Sequence, residues 1–136
     1  MPHFLDTNIL LYSISQDPAE SNKRDRAIEL LCDDSAALSI QVLQEFYVQA
    51  TRTSRPDPIP HELAAGLIEA WTRFRIQDMN LSVLNDALRI RKTFGFSFWD
   101  SAIVAAALAM GCGRVYTEDL NHGQVVEGLT IINPFR

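Results

Sequence analysis

Apolar positions along the chain fall into two kinds of run. Some runs are three or four residues long and end at polar or turn residues. Others recur every three or four positions over about a dozen residues. His3-Phe4-Leu5, Ala36-Ala37-Leu38, Arg75 to Met79, Arg114 to Thr117 and Leu129 to Ile132 are of the first kind and predict short strands. The second kind predicts helices. Ile9 to Tyr12 reads as a helical turn, and Asp17-Pro18 breaks the chain because the residue before proline avoids the helical region. Ala19 to Cys32 sets Ala27, Ile28, Leu30 and Leu31 among charges, as an amphipathic helix does. Ser39, a good capping type, opens a helix with Val42, Leu43, Phe46, Tyr47 and Ala50 on one face. Thr51 to Pro60 is a polar loop with prolines, the segment expected to move most. Glu62 to Phe74 and Leu81 to Phe94 are again amphipathic. Phe98 to Met110, opened by Ser97 and stopped at Gly111, is the most apolar helix.

Short strands alternating with longer helices predict an α/β domain with a mostly parallel sheet of four to five strands and helices on both faces. In such sheets ligands collect beyond the carboxyl ends of the strands. A length of 136 residues without repeats makes one domain, 1–136.

Composition narrows the picture a little. A chain of this size with 47% hydrophobic residues needs no disulfide or structural zinc. Cys32 and Cys112 have no metal-ligand spacing and are expected as free thiols in a reducing cytoplasm. His3, His61 and His122 are too scattered for a zinc site. The longest apolar run, Ala102 to Met110, falls well short of the ~20 residues of a spanning helix, so no membrane association is expected. The start lacks a basic segment followed by a long apolar stretch, so no secretory signal is expected. A net charge of −5 argues against a protein that coats nucleic acid. It does not exclude an enzyme that gathers carboxylates around a cation.

Four acids hold the relevant positions. Asp6 follows the first strand and Asp119 the strand ending near Thr117; Glu45 lies in the helix after the second strand and Asp100 in the first turn of the helix opened by Ser97. Each also has an ordinary role open to it. Asp6 suits a helix cap, Ser97 to Asp100 resembles a capping box, Glu45 suits a solvated helix face and Asp119 a turn. A parallel sheet brings all four to one edge, and bare carboxylates in one site raise one another's pKa and protonate. A hard divalent cation with oxygen ligands relieves that repulsion, and with it comes metal-assisted phosphodiester hydrolysis.

The segments Phe4-Leu5-Asp6-Thr7-Asn8-Ile9-Leu10, Ser39 to Phe46, Ser97-Phe98-Trp99-Asp100, Tyr116-Thr117-Glu118-Asp119 and Ile132-Asn133-Pro134-Phe135 stand in a specific order. Together they resemble the PIN-domain family of metal-dependent nucleases, most closely the VapC-type toxins of toxin–antitoxin pairs. The resemblance implies a three-layer α/β/α sandwich and an endoribonuclease that uses Mg²⁺ or Mn²⁺. It further implies an RNA substrate and an antitoxin partner. It carries the acidic pocket onto Asp6, Glu45, Asp100 and Asp119. Asp6 and Asp100 are then the principal metal ligands, Glu45 holds a second cation or orients the attacking water, and Asp119 completes the charge. Thr7, Asn8, Ser97 and Thr117 support them. Setting the four acids aside leaves thirteen acidic residues against twelve basic ones. Arg52 and Arg55, on the loop after the Glu45 helix, are the candidates to touch RNA.

Other readings use the same residues: a PIN-like RNA-processing or DNA nuclease, or a non-catalytic RNA-binding PIN module. A phospho-accepting signalling domain fits less well, because the only lysines are Lys23 and Lys92 and such sites want a late lysine. Trp71 and Trp99 are expected in the core. Val42, Phe46, Leu63, Leu67 and Trp71 exceed what one small core needs, so part of that surface is expected to pair two copies as a homodimer.

Overall fold

A computed structural model describes residues 1–136. Strand β1 (His3–Leu5) leads into α1 (Thr7–Ser13), a short 3-10 turn at Pro18–Glu20, and α2 (Ser21–Leu31). Strand β2 (Ala36–Ser39) is followed by α3 (Ile40–Thr51) and α4 (His61–Trp71). Strand β3 (Arg75–Gln77) is followed by α5 (Leu81–Phe94) and α6 (Phe98–Ala109), and the chain ends through β4 (Arg114–Tyr116), β5 (Val125–Val126) and β6 (Leu129–Ile132).

The six strands lie in the order β3-β2-β1-β4-β6-β5, all parallel except the β5–β6 pair. Sequence reading counted at most five strands; the sixth is the two-residue β5. It escaped because Glu127-Gly128 is not a common hairpin dipeptide. Glu127 (φ 51°) and Gly128 (φ 89°) both take positive φ, as a tight primed turn requires.

The strand order locates the site. The chain steps outward from β1 to β2 to β3, then returns to place β4 on the other side of β1. Right-handed crossovers therefore put α1 to α4 on one face and α5 with α6 on the other. The order reverses between β1 and β4, where a crevice opens at the carboxyl ends of the strands. Leu5 pairs with Tyr116 at the end of that ladder, so Asp6 and Thr117 emerge side by side.

Local chemistry starts α3 and α6 where the pattern predicted, whereas α4 stops at Trp71, short of the predicted Phe74, and the predicted Ala19–Cys32 helix opens as a 3-10 turn. The Ser39 and Ser97 hydroxyls accept from the Val42 and Asp100 N–H groups, and Asp6 caps α1 by accepting from the Thr7 N–H. Gly111 takes φ 71° just past α6, a conformation that disfavours a side chain. Helix α6 lies over β2, β3, β4 and β6 and is covered in turn by α5, so Ser101 to Ala107 are buried without interruption.

The apolar surplus assigned to a homodimer surface is mostly core. Val42 and Phe46 are inaccessible and Trp71 is buried, because Phe46 meets Trp71 edge to face at 4.7 Å where α3 packs on α4. Leu63 stays exposed and Leu67 half-buried. Trp99 departs in the opposite direction: it is 64% exposed, not core. No helix is long and apolar enough to cross a membrane. Both cysteines are free, and burial pushes the Cys112 thiol up to about 11, which leaves it inert.

Candidate active site

Asp6, Glu45, Asp100 and Asp119 line one cleft of about 100 Å³ at the crevice between β1 and β4. Thr7, Asn8, Gln49 and Trp99 share its walls, and no lysine or arginine does.

Asp6 is held first. One carboxylate oxygen accepts from the Thr7 N–H at 2.7 Å and the other from the Thr117 hydroxyl at 2.8 Å. The Asp6 N–H itself donates to the Tyr116 carbonyl, which continues the sheet ladder by one step. Burial raises the Asp6 carboxyl to about 7; the two hydrogen bonds oppose that rise, and the charges of Asp119 and Glu45 add to it. Asp100, half-buried, moves the same way, again from burial first, with Ser97 opposing and Asp119 and Glu45 reinforcing.

Glu45 is oriented from both sides. Its Oε1 accepts from Gln41 Nε2 at 2.6 Å and its Oε2 from the Thr7 hydroxyl at 3.1 Å. Gln41 Nε2 also donates to the Trp99 carbonyl at 3.2 Å, which ties the start of α3 to the first turn of α6, next to Asp100. Asn8 Nδ2 donates to the Thr117 hydroxyl at 3.2 Å and to Asp119 at 3.1 Å, while the Asp119 N–H returns to the Thr117 hydroxyl at 3.1 Å. The supporting residues expected from the sequence thus touch the acids: Thr7, Asn8 and Thr117 through side chains, Ser97 through the Asp100 N–H.

Sequence reading missed two contributors. Gln41 is one: it sits four residues before Glu45 on the same helix face, and that spacing was the available signal. The other is a cluster behind Asp119. Lys23 Nζ lies 3.0 Å from Glu118 and 3.2 Å from the Tyr12 hydroxyl, and Tyr12 also donates to Glu118. Lys23 stands 4.9 Å from the Tyr12 ring centre and 5.6 Å from that of Phe135. This cluster joins α1, α2, the turn after β4 and the C-terminus. Nothing in the spacing of residues 12, 23, 118 and 135 announced it.

Arg52 and Arg55 flank the acids rather than enter them. Arg52 borders a neighbouring groove with Glu45 and Trp99, and Arg55 borders a hollow of about 660 Å³ that reaches Asn8 and Asp119. The Arg52–Pro60 segment is anchored by the Ile59 N–H, which donates to the Ala50 carbonyl at 2.9 Å.

The donor set fits a hard divalent cation. All four acids lack an ion-pair partner, and Asn8 Oδ1 is buried among them with no hydrogen-bond donor. No three acidic, histidine or cysteine side chains stand close enough to encircle an ion directly.

A parallel α/β sheet with an acid-lined crevice at its switch point defines a class of small acidic-site folds. The PIN domain family matches residues 3–127, and the chain belongs to that family. No curated protein matches it significantly in sequence. Among solved structures, a chain of a toxin–antitoxin complex from Klebsiella pneumoniae superposes with a TM-score of 0.72 at 18% identity, covering 97% of each chain. VapC20 of Mycobacterium tuberculosis, described as a toxin that cleaves the sarcin–ricin loop, gives 0.67 at 18% identity over 86% of this chain and 91% of its own. A chain of FitAcB from Neisseria gonorrhoeae gives 0.65 at 20% identity over 98% of both. At these identities the likeness is one of fold.

Proposed function

We propose that the protein is a metal-dependent endoribonuclease of the prokaryotic cytoplasm, the toxin of a toxin–antitoxin pair. The observation that carries this reading is the convergence of Asp6, Glu45, Asp100 and Asp119 on one cleft with no cationic side chain among them. Membership of the PIN family supports it. So do the names of its structural neighbours, which include toxin–antitoxin complexes and a toxin that cleaves the sarcin–ricin loop.

Asp6 and Asp100 would hold Mg²⁺ or Mn²⁺, with Asp119 and the unpartnered Asn8 Oδ1 beside them. Such an ion, when bound, supplies the positive charge that acidifies a water and stabilises a phosphoryl oxygen. Glu45, fixed by Gln41 and Thr7, orients the attacking water and takes its proton. Asn8 and Thr117 keep Asp119 and Asp6 aimed at the same space. Arg52 and Arg55 receive phosphates on either side of the cleft. The antitoxin would silence the protein by covering this face.

A homodimer belongs to the proposal on a changed surface. One apolar face left uncovered is the exposed stripe Leu81, Leu84 and Leu88 on α5, opposite the buried Val83, Ala87 and Ile90. Sedimentation at micromolar concentration is expected to show a dimer, and a monomer overturns it.

Asp6→Asn and Asp100→Asn are each expected to abolish cleavage of single-stranded RNA while the circular dichroism spectrum stays native. Chelator is expected to stop the wild-type reaction. Undiminished cleavage by both variants, in protein free of contaminating nuclease, overturns the proposal.

A further inference from the structure

A groove of about 440 Å³ adjoins the acid cleft, and the two share Glu45, Gln49 and Trp99. Its floor is one face of α3, where Gln41, Glu45 and Val48 follow each other at four- and three-residue spacing, with Arg52 just past the helix end. Its wall is Trp99, 64% exposed, from helix α6, whose Ser101 to Ala107 are buried. An indole is rarely left in water, because it carries a large apolar surface. Here the residue is also built in. Its carbonyl accepts from Gln41, and Phe98 braces its ring edge-on at 5.1 Å. Val48, itself 60% exposed, adds a second apolar surface to the groove. Arg52 closes the far end with a positive charge, whereas the near end is carboxylate.

A ligand that suits this groove has a flat ring for Trp99 and Val48, and an anionic group for Arg52. It also has polar edges for the Gln44 and Gln49 amides. We propose that the groove is a subsite for one unpaired nucleotide of single-stranded RNA, its base stacked on Trp99 and its phosphate on Arg52, next to the bond that is cut. The assignment rests on the ribonuclease reading for its role, but not for the binding itself. Unpaired bases are required because a duplex hides the ring faces that stack. Stacking tolerates every base, so selection here is for single-strandedness more than for sequence.

The two tryptophans make the test direct, since Trp71 is 5% exposed and acrylamide therefore quenches Trp99 almost alone. The Asp6→Asn protein in chelator is titrated with a single-stranded oligoadenylate of about eight nucleotides, a length within the range of such sites. Saturable protection of Trp99 from acrylamide is expected, and a duplex of equal length is expected to give none. By anisotropy of labelled RNA, Trp99→Ala is expected to bind about tenfold or more weakly, and Trp99→Phe to restore most of the affinity. Equal affinity in all three proteins overturns the subsite. So does protection of Trp99 that rises with protein concentration alone, which assigns the face to a second copy. Protection by RNA in a protein whose wild type never cleaves RNA keeps the subsite and removes the nuclease. Cleavage by wild type with no loss on Trp99→Ala does the reverse.

Discussion

At Asp6 the fold buries a carboxyl with no cation beside it, and the consequence is readable in pH. The group sits at about 7 in the folded chain against 3.8 when exposed. Between these values the folded chain keeps a proton that the unfolded chain has released. Stability in the absence of metal therefore falls as pH rises from about 4 to 7, by up to roughly 4 kcal/mol. Asp100, shifted in the same direction, adds to the slope. Asp6→Asn keeps the shape and the cap to Thr7 without the charge. It is expected to be more stable than the native chain at about pH 8 by about 1–3 kcal/mol, and equal to it near pH 4. Urea denaturation at the two pH values checks this; a variant less stable at the higher pH contradicts it. The residue that the proposed function needs is thus one that stability does not.

Helix α6 gathers several consequences at the level of elements. Ser97 caps it, and the capped turn carries Asp100. Ser97→Ala is expected to lower stability by about 1 kcal/mol and to weaken cleavage through the looser placement of Asp100, measurable by thermal denaturation beside an activity assay. The helix also shows where the sequence was legible. Its start and stop were, because Ser97 and Gly111 act through local chemistry. Its orientation was not. From Phe98 to Met110 the apolar run has no polar face, so periodicity carries no information about which residue turns outward. The sheet and α5 cover Ser101 to Ala107, which leaves Trp99 in the first turn outside. Helices α3 and α4 show the converse. Their apolar faces were visible, but whether they met each other or a second molecule depended on the Phe46–Trp71 contact, a tertiary fact. The positions of all four acids were legible because each follows a strand end or a cap. Gln41 and the Lys23–Glu118–Tyr12 cluster were not, since side chains that support a site need no motif.

For the whole molecule the balance of charge matters most. The cleft concentrates carboxylates that nothing in the chain neutralises, so a bound divalent cation stabilises the folded state by mass action. At a hundredfold excess over its dissociation constant, Mn²⁺ is expected to add about 2.7 kcal/mol to the native protein and much less to Asp6→Asn. Calorimetric scans with and without the ion check it, and equal shifts in both proteins contradict the proposed metal site.

The placement of β1 at the middle of the sheet has a consequence for a cell that makes this protein. Strand β1 waits for a distant stretch of the same domain: Asp6 finds its Thr117 partner 111 residues later. Until that stretch emerges, the growing polypeptide owns three of its four acids but not the neighbour that steadies the first. Such distant pairing is slow to form. The acid cleft is therefore completed late, only once the stretch that carries Thr117 has joined β1.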